Sequence, residues 1–182
     1  MDDEKLYRQY LNGSEEAASE LVEAYADSLT LYINGFVNDL SEAEDLMIEA
    51  FALIFAKPRP IKGENAFKGY LYRIGRNLAF RHTKKTAVRL LSLEELPFEP
   101  KEEALAETPL YKRERKRQLY EAMEAIKPEY CEALYLVYFE EMSYRQAADV
   151  MGKSENQVTK LIYRGKQSLK KNLEKQGFRY ED

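Results

Sequence analysis

Apolar residues recur three and four positions apart along most of the chain, and no segment makes a convincing strand, so the pattern predicts an all-α protein. Residues 4–11 and 14–39 read as two helices broken at Asn12-Gly13, the second capped by Ser14 with Leu21, Ala24, Tyr25, Ser28, Leu29 and Tyr32 inward. Ser41 with Glu44 fits a capping box opening a helix from about Glu42 to Ala56, with Met47, Ala50, Phe51 and Ile54 facing the core. Two prolines and a glycine break the pattern over 57–65. Helix resumes near Phe67 and runs to 85, with Phe67, Leu71, Ile74 and Leu78 as its buried stripe. Further on, Tyr111–Ile126 places Leu119, Ala122, Met123 and Ile126 on one face. Pro128 then suits the first turn of a helix burying Leu134, Val137 and Tyr138 and ending near 140–142.

The stretch 143–171 has the sharpest pattern. Ser143 has Gln146 three residues on, and Ser154 has Gln157 three residues on, so two capping boxes open two helices. Gly152 can close the first at positive φ, and Ala147 and Ala148 allow a close crossing. Val158, Leu161, Ile162 and Leu169 mark the buried stripe of the second. Its other face carries Asn156, Gln157, Lys160, Arg164 and Gln167, which can donate to base edges and phosphates in a major groove. This is the pattern of a helix-turn-helix. An ordinary amphipathic hairpin with a solvated face is the competing reading of the same residues.

Charge distribution changes the picture more than total charge does. The chain of 182 residues has a net charge of −4, which by itself predicts weak binding to DNA by the free protein. Yet 13 acidic residues stand among the first 50, while Lys68, Arg73, Arg76, Arg81, Lys84, Lys85 and Arg89 fall between 67 and 89 with no acid. Glu42, Asp45 and Glu49 line one helix face, as a solvated stripe or a docking surface for a basic partner. On the helix from Phe67, Tyr72, Arg73, Arg76 and Phe80 interleave rings with cations, which suits a single strand whose bases stack while its phosphates meet the cations. Packing on a neighbouring helix is the alternative for at least one of Tyr70 and Tyr72.

Leu90–Pro109 holds three prolines and six glutamates against one lysine, which reads as an acidic linker. The chain therefore divides into 1–89, a linker 90–110, and 111–182: two small helical domains, the C-terminal one containing the helix-turn-helix. Cys131 and His82 are the only cysteine and histidine, no glycine loop suits a phosphate, and carboxylates are spread along solvated faces. No catalytic, metal or cofactor site is expected. No apolar run approaches membrane-spanning length, and a cytoplasmic protein without membrane insertion is expected.

AEDLMIEAFALIF at 43–55 followed by FKGYLYRIGRNLA at 67–79 resembles the second conserved region of bacterial RNA polymerase sigma factors, most nearly those of the extracytoplasmic-function (ECF) type. KPEYCEALYLVYFEEMSYRQAADVMGKSENQVTKLIYRGKQSLKK at 127–171 resembles their fourth region. Tyr70 departs from a frequent tryptophan, Gly75 from alanine, Ile48 from a polar residue, Cys131 from arginine and Glu141 from glycine. The resemblance implies a dissociable initiation factor that directs core RNA polymerase to promoter DNA. Asp45, Leu46, Glu49 and Phe51 would dock on the clamp helices of the largest subunit. Asn65, Phe67, Lys68, Tyr70, Tyr72, Arg73 and Arg76 would hold the minus-ten element. Ser154, Asn156, Gln157, Thr159, Lys160 and Arg164 would read the minus-thirty-five element, with Asn156, Gln157 and Lys160 on bases and Arg164 on phosphate. Such factors are commonly held inactive by an anti-sigma partner, which no residue here identifies. The competing function is a stand-alone helix-turn-helix regulator, for which no dimerisation seam is visible.

Overall fold

A computed structural model describes residues 2–61, 63, 66–83 and 109–177. Residues 84–108, which include nearly all of the expected linker, and Asn65 lie outside the described residues. Within them there is helix and no strand.

The first body is built from α1 (Asp3–Leu11), α2 (Glu15–Val37), α3 (Leu40–Ala56) and α4 (Ala66–Thr83). The Ser14 side chain accepts from the Ala17 amide and opens α2 as expected. At the far end Asn38 takes a left-handed conformation, φ 57°, which Asn tolerates better than most residues. That turn delivers Asp39, and its carboxylate accepts from the Glu42 amide and caps α3. The predicted box at Ser41 is thus displaced by an earlier cap, and Ser41 lies inside the helix. Leu21, Leu29, Ile33, Ile54, Phe67 and Leu71 are wholly enclosed where the four helices meet. Each such burial contributes roughly 1.5–3 kcal/mol. Ala24, expected in the inner face of α2, is exposed. Gly75 has a packing reason: a Cβ there would stand 2.9 Å from Leu29 Cδ1, so glycine lets α4 lie closer to α2.

The second body comprises α5 (Pro109–Glu124), α6 (Pro128–Leu134), a π turn (Tyr135–Phe139), α7 (Tyr144–Met151) and α8 (Glu155–Lys175). Pro128 occupies the first turn of α6. The π turn adds a residue to the helical repeat, which rotates the face beyond it, so Tyr138 emerges half-exposed where the sequence pattern buries it. Both capping boxes are complete, with each serine and glutamine exchanging bonds with the other's backbone. Gly152 closes α7 at φ 64°. Glu141, where the resemblance led to glycine, also sits in the left-handed region, at φ 53°.

The two bodies are packed together. α4 lies against α7, and one continuous apolar cluster runs from Tyr7 through Tyr32 and Tyr72 to Tyr135 and Ile162.

Candidate nucleic-acid interface

The helix-turn-helix presents its predicted reading face to solvent. Ser154, Asn156, Gln157, Thr159, Lys160 and Arg164 are all exposed, while Val158 and Ile162 anchor the opposite side of α8. Gly165 sets the crossing of α8 over α6, because a Cβ there would meet Leu134 Cδ1 at 3.1 Å and Tyr130 Cβ at 3.2 Å. The orphan amides at the start of α8, its short polar residues and its cations therefore occupy one open surface, a shape that enters a major groove.

The predicted single-strand face on α4 is differently placed. Phe67 and Tyr72 are wholly buried. The ring of Phe67 lies 5.1 Å from that of Tyr7, and the ring of Tyr72 lies 5.1 Å from that of Tyr32. In this arrangement neither ring can stack on a base, and Tyr72 is the tyrosine that packs on neighbouring helices. Tyr70 is partly buried and Arg73 is exposed. Lys68 and Arg76 face the second body. Lys68 Nζ donates to the Glu140 carbonyl at 2.7 Å and pairs with its carboxylate at 3.0 Å. Arg76 donates through Nε at 2.6 Å and Nη2 at 3.3 Å to the two oxygens of Glu132. Tyr32 and Tyr72 donate to the same carboxylates, at 2.9 Å and 2.7 Å.

Sequence reading missed Glu132 and Glu140, the two buried carboxylates of this interface, 3% and 7% exposed. Each looks like an ordinary helical glutamate, and its partners stand 56 to 100 residues away. Burial works against the charge of Arg76, but hydrogen bonds and attraction from Glu132 outweigh it and raise its pKa. Burial, reinforced by the adjacent carboxylates, pushes the hydroxyls of Tyr32, Tyr72 and Tyr135 well above the ordinary range. His82 is not isolated: its Nε2 lies 2.8 Å from Glu42 on α3. Cys131 is buried, and burial pushes its thiol up, away from reactivity.

On α3, Asp45 and Glu49 are exposed, but Leu46 and Phe51 are buried and hold the helix against the first body. They cannot present themselves to a partner. The exposed large apolar residues of this helix are Ile48, 62% exposed, Leu53 and, at its first turn, Leu40, which the helical pattern did not single out. The helix thus offers an apolar strip beside acidic side chains.

Family descriptions for sigma-70 region 2 and sigma-70 region 4 match residues 21–89 and 116–169. The chain is 27% identical over 181 residues to the RNA polymerase sigma-H factor of Pseudomonas aeruginosa, covering 94% of each. It is 24% identical to the ECF RNA polymerase sigma factor SigM of Bacillus subtilis, over 83% of this chain and 91% of that one. The chain belongs to the ECF sigma factors. It is accordingly not an enzyme: it binds core RNA polymerase and directs promoter recognition and DNA opening in transcription initiation. The fold is shared with the sigma factor RpoE of Bartonella quintana, solved with the anti-sigma factor NepR, at TM-score 0.61 and 16% identity, covering 86% of this chain and 96% of that one. No helix among the described residues is long and apolar enough to cross a membrane.

Proposed function

We propose that this ECF sigma factor grips promoters through two surfaces that the free chain does not offer together. The first domain is 1–89, the linker 90–110 and the second domain 111–182. The exposed half-turns at the start of α8 read the duplex minus-thirty-five element, with Asn156, Gln157 and Lys160 on base edges and Ser154, Thr159 and Arg164 on the backbone. Asn65, Tyr70 and Arg73 serve the minus-ten element, joined by Lys68 and Arg76 once the second domain leaves them. Phe67 and Tyr72 support that face from beneath. On α3, Asp45 and Glu49 with Ile48 and Leu53 dock on the clamp helices of core polymerase, and Leu46 and Phe51 hold the helix in place.

The observation that carries this reading is the pairing of Lys68 and Arg76 with Glu140 and Glu132. Carboxylates occupy the two cations that strand phosphates would otherwise take, so the closed chain is a poor DNA binder and polymerase must hold the domains apart. The factor acts in the cytoplasm, where polymerase and promoters are. The likeness to a sigma factor solved with an anti-sigma protein supports a partner of that kind, which would stabilise a form unable to engage polymerase.

Transcription from a randomised promoter library with core polymerase tests the assignment. Enriched sequences with two conserved blocks at fixed spacing are expected. A single block, recovered equally well by the free protein without polymerase, would refute it in favour of a stand-alone regulator.

A further inference from the structure

The helix α1 precedes the segment that matches sigma-70 region 2, which begins at residue 21. Three of its side chains nevertheless bind the connection between α3 and α4. Glu4, Tyr7 and Tyr10 are three residues apart and so share one side of the helix. The Tyr10 hydroxyl donates to the Phe55 carbonyl at 2.8 Å, one of the orphan acceptors in the last turn of α3. The Tyr7 hydroxyl both donates to the Arg59 carbonyl, at 3.1 Å, and accepts from the Arg59 amide, at 3.2 Å. Glu4 Oε1 accepts from the Ala66 amide at 2.8 Å and so satisfies an orphan donor at the start of α4 from 62 residues away.

The rings add packing to these bonds. Tyr10 meets Phe55 at 4.7 Å and Tyr7 meets Phe67 at 5.1 Å. The helix is itself anchored from behind, because buried Asp3 accepts from the Tyr25 hydroxyl on α2. The entry, the middle and the exit of the connection are therefore tied to a single rigid element. Burial of the hydroxyl raises the Tyr7 pKa, which keeps the donor intact.

We infer that α1 is a strap, and that Glu4, Tyr7 and Tyr10 are positioning residues that set the geometry in which the end of α3, Arg59 and the start of α4 stand to receive the opened minus-ten strand. This rests on the assignment of the minus-ten element to that region. Capture of an unstacked base needs a preformed receiving surface, because ordering it at the moment of binding would be charged against affinity. The strap makes no contact with DNA; it acts through the residues it holds.

The test uses holoenzyme assembled with core polymerase, and the non-template strand of a promoter recovered from the randomised library. The variant Tyr7→Phe/Tyr10→Phe removes the bonds and keeps the rings; adding Glu4→Ala removes the cap, and Glu4→Gln in its place retains an acceptor. Affinity for the single strand should fall about tenfold in the triple variant, the equivalent of one or two of these bonds. The Gln version should recover part of it, while binding to a duplex carrying the minus-thirty-five block stays unchanged. Unchanged single-strand affinity, in a variant that only melts at lower temperature, would reduce α1 to structural support and overturn the inference. The Phe pair alone serves if the triple variant does not fold. If wild-type holoenzyme shows no preference for that strand, the minus-ten assignment itself fails and the strap falls with it.

Discussion

Neutralising the two buried carboxylates, Glu132→Gln with Glu140→Gln, should open the free chain. Glu132 accepts three bonds, from Tyr32 and twice from Arg76, and Glu140 accepts from Tyr72 while pairing with Lys68. A hydrogen bond to a charged group contributes roughly 1.5–3 kcal/mol and one to a neutral group about 0.5–1.5 kcal/mol, so each of these bonds weakens by about 1–1.5 kcal/mol, and the amide at 132 forfeits one outright because its NH2 cannot accept from Arg76. Against this, the amides no longer carry the cost of holding two carboxylates out of water, several kcal/mol for each ion, which offsets most of the loss and leaves about 2 kcal/mol for the pair. That shifts the equilibrium between closed and open chain roughly 30-fold toward open. The stacked rings of Tyr32 and Tyr135, 6.0 Å apart, are untouched and still favour closure. The loss cannot exceed what holds the two bodies together, because the chain can open and hydrate the groups without unfolding either one.

Two measurements check it. Small-angle scattering of the free protein should show a larger radius of gyration, and amide exchange should rise on the facing surfaces of α4 and α7 and not in the interiors of the two bodies. Affinity of the free protein for a single-stranded minus-ten oligonucleotide should rise in parallel, because Lys68 and Arg76 are released. Unchanged dimensions and unchanged affinity, with only a lower melting temperature, would refute the reasoning. The domains would then be held by their rings, and the carboxylates would be passengers.

Other expectations follow from single positions. Glu141→Gly should stabilise the chain and Gly152→Ala destabilise it, each by about 1 kcal/mol, since both residues sit at positive φ; urea titration of the two variants checks the opposite signs. Stability should be level from about pH 7 to 9 and fall above 10. The hydroxyls of Tyr7, Tyr25, Tyr32, Tyr72 and Tyr135 are raised from 10.0, and that of Tyr120 is pushed up to about 12, all with burial as the first cause. Above 10 the unfolded chain therefore releases protons that the folded chain retains, and stability present below 10 is lost as pH rises toward the folded values. Denaturant midpoints measured from pH 7 to 11 test the sign. Lys160→Ala should relax preference at one base pair of the upstream block, by about 1–3 kcal/mol; uniform weakening across sequences would make Lys160 a phosphate contact.

Local physics was legible in the residues. The capping boxes at Ser143 and Ser154, the turn at Gly152 and the stripe Val158, Ile162 depend on neighbours within four positions, so helix-turn-helix geometry and its exposed polar face could be read directly. The same holds for the Ser14 cap and for Pro128. Where a nearby competitor existed the reading slipped, as when Asp39 displaced Ser41. The π turn at Tyr135–Phe139 was invisible, because it shifts the helical phase without any proline or glycine to announce it.

Tertiary structure alone decided which side of a helix is a surface. Tyr72 and Arg73 are adjacent, and an aromatic-cation pattern suits a DNA strand and an interdomain contact equally well. Only the packing of α4 against α2 and the second body makes Tyr72 core and leaves Arg73 exposed. Likewise Glu132 and Glu140 became partners of Arg76 and Lys68, and Glu4 became the cap of α4, through approaches between residues 56 to 72 positions apart. Such pairings depend on how whole helices dock, a property of summed apolar burial over many side chains that no local pattern encodes. The sequence thus determined the helices, the open polar face of α8 and the kind of protein; the packing determined which basic and aromatic groups of α4 the free chain keeps covered.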